Sequence, residues 1–154
     1  MRVEFERQRR NSGRRGNAMV EFALSFALLF PVLAGAYQFG YAFFIYNEMQ
    51  TAVRAGARYA SLRTYNSATS TPAADYLAAV QNVVVYGSPA GGEQPVVPGL
   101  EPDNVTVTVA FESGVPRQVT VGIENYQADA VFRLFDFDQK PHVTMPYVGR
   151  FDPL

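Results

Sequence analysis

Glu21 is the residue whose type and position most demand a chemical explanation. It opens a stretch from Phe22 to Asn47 in which no residue carries a formal charge. A carboxylate beside hydrocarbon is costly unless something answers it. Two readings fit: a helix N-terminus, whose macrodipole and free N–H groups favour negative charge by about 0.3 to 1 kcal/mol, or a pairing with a cation from the same chain or a neighbour. Arg54 and Arg58 lie four apart beyond the apolar run, and are either solvated charges or partner-facing ones. Other chemistry is scarce. His142 is the only histidine and the chain has no cysteine, which removes a thiol nucleophile and the usual zinc sets. Asp136 and Asp138, with Asp129 upstream, are too few for Ca²⁺, which takes six to eight oxygens. The Gly/Pro-rich stretch 87–104 lacks both the Walker lysine and the GxGxxG spacing that would cradle phosphate. The expectation is a chain with no catalytic residue, no metal and no cofactor, one that is not an enzyme.

The elements that position Glu21 follow from charge and length. Residues 1–16 hold six arginines and two glutamates, against seven basic and twelve acidic residues in the remainder. Such a split suits a basic arm followed by a separately housed domain, and argues against nucleic acid as the main partner. The 26 uncharged residues Phe22–Asn47 would reach roughly 39 Å as a helix, longer than the ~30 Å hydrocarbon core of a bilayer. With the arginines ahead of it, the run predicts one membrane pass, N-terminus cytoplasmic and the rest exported, with lipid as a partner. A cleavable signal peptide fits poorly, because its apolar region is about 7 to 15 residues long and ends at a small-residue site. Pro31 removes one helix hydrogen bond and crowds the turn before it, which predicts a kink. That kink is either tolerated by neighbours or used as a flexible point. Small residues recur four apart, Ala36 with Gly40, then Ala52, Gly56 and Ala60, a spacing that lets backbones approach closely and that alanine-rich helices also produce by chance.

Cleavage before the apolar run remains, and here the residues resemble a known site. A basic arm ending in Gly16, then Asn17-Ala18-Met19-Val20-Glu21 leading into an apolar helix, looks like the prepilin-peptidase site of type IV pilins and pseudopilins. The stretch "GNAMVEFALSFALLFPVLAGAYQFGYAFF" followed by "AVRAGARYASL" is similar to the TadE-like family, minor pseudopilins of the tight-adherence (Flp-type) pilus. The likeness is close over Gly16 to Leu62 and extends beyond that only in layout; Ala55 stands where such proteins often carry an acid. The resemblance implies cleavage after Gly16 on the cytoplasmic face of the bacterial inner membrane. It also implies a new α-amine on Asn17 paired with Glu21, and docking with other pilin-like subunits and the assembly platform of an adhesive pilus. The alternative is an uncleaved, single-pass scaffold or binding module with an extracytoplasmic β domain; a membrane-tethered enzyme is a third reading, and no small-molecule substrate is expected.

Beyond the stem, "TYNSATSTP" predicts a helix end near Arg63, and Thr71-Pro72 predicts the start of a second helix through "AADYLAAVQNVVVY". Its residues Tyr76, Leu77, Val80, Val83 and Val84 form one apolar face. Alternation predicts strands at 105–111 and 117–123 with a turn near "ESGVP", and a third within "HVTMPYVGRF". "YQADAVFRLFDF" between them reads as a short helix or loop. Asn104-Val105-Thr106 matches a glycosylation sequon, taken as coincidence in a bacterial chain. The expected organisation is a leader 1–16, a helix 17–63 and an exported domain 64–154. Its fold class is α+β: a long pilin-like stem whose C-terminal half carries a second helix and a small antiparallel sheet.

Overall fold

A computed structural model describes residues 4–130, 133–137 and 140–153. The element order is α1 (Glu4–Leu62), α2 (Ala74–Tyr86), a 3-10 turn η1 (Pro102–Asn104), and strands β1 (Val105–Glu112), β2 (Val115–Ile123), β3 (Gln127–Ala130), β4 (Arg133–Asp136) and β5 (His142–Pro146). The class is α+β, with a long apolar N-terminal helix, a second helix and a small three-stranded antiparallel sheet. The chain divides into two compact units, Met1–Gly40 and Tyr41–Leu154, both of which draw on α1.

In the first unit, α1 presents its apolar side chains outward. Met19, Phe22, Leu24, Leu28, Val32 and Leu33 are all largely exposed. Phe22, Phe26 and Phe30, four apart, form a ladder of rings with centroids 6.2 and 5.4 Å apart, the neighbour relation that i,i+4 spacing gives on a helix. Helical assignment runs unbroken through Pro31.

The second unit holds the core. Along α1 the buried residues include Ile45, Met49, Val53, Ala57 and Ala60, the 3–4 step of one helix face. α2 adds Tyr76, Val80 and Val84, as its sequence periodicity predicts, and the sheet adds Val105, Val107, Val119 and Val121. α2 starts later than Thr71-Pro72: Ala73 is its N-cap, in an extended conformation. Thr71 N–H bonds instead to Thr69 Oγ1 at 3.3 Å, a local side-chain turn that competes with helix. The helix ends at Gly87, left-handed at φ 72, whose N–H reaches Val83 O, the usual use of a residue without Cβ.

β2 is the centre of the order β1-β2-β5, antiparallel on both sides. The β1–β2 turn places Ser113 (φ 54) and Gly114 (φ 80) at positive φ, as a two-residue hairpin matched to strand twist requires. Residues 127–130 and 133–136 are neither helix nor loop but the antiparallel pair β3–β4, with Gln127 opposite Asp136 and Ala128 opposite Phe135. The run of apolar residues there hid the alternation; Phe137, just after β4, stacks on the nearby Tyr126 at 6.4 Å and on the distant Tyr46 of α1 at 6.1 Å.

α1 has no glycine cap; distant groups satisfy its final carbonyls. Arg63 N–H bonds Tyr59 O at 3.0 Å and Val148 N–H bonds Ser61 O at 3.0 Å. Tyr76 Oη donates to Ala60 O at 2.6 Å. Tyr147 Oη lies 2.9 Å from Arg63 O and 2.6 Å from Arg150 O, and accepts from Tyr65 N–H at 2.9 Å. The backbone at Gly149 passes so near Arg63 O and Leu62 O that a Cβ there would sit 2.6 and 3.0 Å from them. Helix ends leave four carbonyls unpaired; here the adjacent Arg63 N–H takes that of Tyr59, and α2 and the last strand's exit segment close those of Ala60 and Ser61.

Candidate functional site

Gly16, Asn17 and Glu21 all lie on α1 and all are exposed. A Cβ built at Gly16 meets nothing within 4 Å outside its own stretch of helix, so no other described part of the chain packs on that position. Helix continues across that bond, and glycine weakens a helix by about 1 kcal/mol relative to alanine, which eases the local unwinding any protease requires. Asn17 and Glu21 are four apart on one face. Were the chain to begin at Asn17, its ammonium would stand about 6 Å of helical rise from the Glu21 carboxylate, within side-chain reach. Glu21 would then also sit near the new positive end of the helix dipole.

α1 carries one segment within Gly16–Leu62 that is long and apolar enough to cross a membrane, and its most apolar window buries nothing inside the chain. The uncharged run to Asn47 is not all available to lipid, however. From Ala42 onward one face of α1 belongs to the chain's own core: Ala42, Ile45 and Met49 are 8%, 1% and 0% exposed. Helix clear of that core and uncharged is therefore Phe22–Gly40, nineteen residues, or about 28 Å at ~1.5 Å per residue. This shortens the span read from hydropathy, because a core residue and a lipid-facing residue score alike.

The small residues divide between the units. Ala36 and Gly40 are exposed, and Gly40 has open space where a Cβ would be. Ala52, Gly56 and Ala60 are buried, and the close approach they permit is made within the chain. A Cβ at Gly56 would overlap the Val84 side chain of α2 and stand 3.7 Å from Val121 of β2. Arg54 and Arg58 are both exposed. Arg54 Nη2 donates to Gln50 Oε1 at 3.1 Å, and Gln50 Nε2 donates to Tyr46 Oη at 3.3 Å. That line of polar groups one turn apart follows directly after the apolar segment.

His142 is exposed on the outer face of the sheet. Among the described residues no three of His, Cys, Asp and Glu come close enough to hold a metal ion; Asp138 lies outside those residues. Of the tyrosines the sequence singled out only Tyr76, and that for its place on the apolar face of α2. Burial raises the pKa of Tyr65, Tyr76, Tyr126 and Tyr147 above the ordinary value of 10.0. All four hydroxyls bind backbone atoms, so they hold structure and offer no free acid or base. The only signal available was their abundance, nine in a chain with no tryptophan.

The family model described as "TadE-like protein" matches residues 16–58. No curated protein and no solved structure matches the chain. Over the stretch that holds Gly16, Asn17, Glu21, Pro31 and both arginines, the chain is therefore a match to the TadE-like proteins of the Tad pilus system.

Proposed function

We propose that this chain is a minor pseudopilin, cut by prepilin peptidase after Gly16, that helps to assemble an adhesive Tad-type pilus with other pilin-like subunits and the assembly platform. It performs no reaction itself. It sits in the bacterial inner membrane as a single pass, with the basic arm cytoplasmic and the unit from Tyr41 exported.

The observation that carries this reading is the length of bare helix between Glu21 and the start of the folded unit. Phe22–Gly40, about 28 Å, matches the ~30 Å hydrocarbon core. With Gly40 at the outer boundary, Glu21 falls at the inner one. The apparent cost of a carboxylate in hydrocarbon is then avoided: the acid sits at headgroup depth, beside the bond that the peptidase must reach from the cytoplasm. The family match over residues 16–58 supports the same arrangement.

In the mature chain the Asn17 ammonium and the Glu21 carboxylate, on one face of the helix end, neutralise each other or exchange partners with a neighbouring subunit. A neutral pair moves from bilayer to protein surroundings at lower cost than a lone charge. The test is Glu21→Gln in cells that make the pilus. Membrane insertion and exported-domain folding should persist while piliation falls at least about tenfold, the effect of losing ~1.4 kcal/mol per docking event. Normal piliation by Glu21→Gln would exclude the pairing role.

A further inference from the structure

One face of α1 in the second unit remains uncovered by the chain. Phe43, Phe44, Asn47, Thr51, Arg54, Ala55, Arg58 and Leu62 are exposed, spaced three or four apart, so they form one stripe opposite the face that carries Ile45, Met49 and Val53. The stripe has two cations and apolar residues at both ends; the half-buried Glu48 borders it between Phe44 and Thr51. The rest of the unit is charged the other way. From Gly87 to Pro116 there are four acids, Glu93, Glu101, Asp103 and Glu112, and no Lys or Arg. Among the described residues the ion pairs are Arg63–Asp75, Arg117–Glu112 and Arg150–Asp152. Arg54 and Arg58 enter none of them, nor do Glu93, Glu101 and Asp103, all exposed.

We infer that the Arg54/Arg58 stripe docks on the acidic patch around η1 of a second copy of this chain. The arginines stand one helical turn apart and the acids Glu101 and Asp103 two residues apart, so two opposite charges meet two. The apolar ends of the stripe supply the area that exposed ion pairs alone lack. Because stripe and patch are different surfaces, the contact is heterologous: each copy that uses its stripe still offers a free acidic patch, and each added copy extends a row instead of closing a dimer. Exposed charge pairs act strongly on encounter and are screened over a Debye length of about 8 Å at physiological salt, so the association weakens as salt rises. The inference goes beyond the pilus reading and does not require cleavage after Gly16.

The experiment uses full-length chain carrying either of two tags, co-expressed in membranes, solubilised in mild detergent and recovered through one tag. Wild-type copies should recover each other. R54E/R58E alone and E101K/D103K alone should each lose self-recovery about tenfold. Mixed together, they should regain it, since the first variant keeps an intact acidic patch and the second an intact stripe. All four positions are exposed, and the regain itself shows that both variants are folded. A cysteine-free background permits a second reading: Arg58→Cys mixed with Asp103→Cys should give an oxidised dimer that neither variant gives by itself. Absence of wild-type recovery, undiminished recovery of R54E/R58E, or a mixture that fails to regain association would each overturn the inference.

Discussion

Replacing Tyr76 with phenylalanine isolates the bond that closes the C-terminal end of α1. Tyr76 is fully buried, and its hydroxyl donates to Ala60 O at 2.6 Å. α1 stops at Leu62, so no helical N–H takes that carbonyl. Tyr76→Phe keeps the ring and its edge contact with Tyr65, at 5.1 Å and 80°, and deletes only the donor. A buried acceptor left without a partner costs about 1–3 kcal/mol. An unfolding entropy of roughly 2.1 cal/mol/K per residue, over the unit Tyr41–Leu154, gives about 0.24 kcal/mol/K. The melting midpoint should therefore fall by about 4–12 °C. The assay is near-UV circular dichroism of the full chain in detergent at neutral pH, with Tyr86→Phe as the control for loss of a hydroxyl on a half-buried ring. A Tyr76→Phe midpoint within about 1 °C of that control would refute the claim that this bond closes the helix end.

Three further outcomes follow from the same contacts. Tyr65, Tyr76, Tyr126 and Tyr147 titrate above the ordinary tyrosine value of 10.0, mainly through burial. Folded and unfolded chains are equally protonated below pH 10, whereas above it the unfolded chain releases protons that the folded one retains. Stability should accordingly fall as pH rises past about 10, by up to ~1.4 kcal/mol per pH unit for each tyrosine so held. Melting midpoints measured from pH 9 to 11.5 check this, and a flat profile would contradict it. Gly56→Val should lower the urea midpoint by the equivalent of about 1–3 kcal/mol, because the new side chain competes with Val84 in a filled space. Gly40→Val, placed where a Cβ meets nothing within 4 Å, should leave it unchanged; equal midpoints for the two variants would remove Gly56 from the α1–α2 contact. Gly16→Ala should leave precursor of unchanged mass in cells that process the wild type, and equal processing of both would show that Gly16 is not the site.

The parts of this fold that were legible in the sequence are those set by local pattern. The 3–4 spacing of Tyr76, Val80 and Val84 gave the buried face of α2, and the alternation in "VTVTVAF" and "RQVTVGI" gave a hairpin whose register pairs Val107 with Val121 and Val109 with Val119. The third strand fell within "HVTMPYVGRF" as expected. What the sequence hid is non-local. Next to β4, Phe137 stacks on Tyr46 of α1, some ninety residues away, and nothing in the order of residues 127–136 announces that contact. The end of α1 depends on Tyr76 and Tyr147, whose hydroxyls look like any others until their partners are in place. Gly56 read as one member of a row of small residues, and only the position of Val84 gives it a packing role. Ala42 and Ile45 read as membrane because hydropathy does not distinguish a core from a bilayer. Of the candidate site, spacing and charge alone marked only an acid at the head of an apolar run; Gly16 joined it through the resemblance to prepilin-peptidase sites, and the length of bare helix beyond Glu21 needed the position where the folded unit begins.

The central claim is that the apolar helix is retained and that cleavage creates the cation beside its acid. Amino-terminal sequencing of the protein isolated from membranes of cells with an active prepilin peptidase tests it most directly. Asn17 as the first residue, on a chain that still contains Phe22–Gly40, is the expected result. An intact Met1 or Arg2, or a mature chain that begins beyond Gly40, would contradict it.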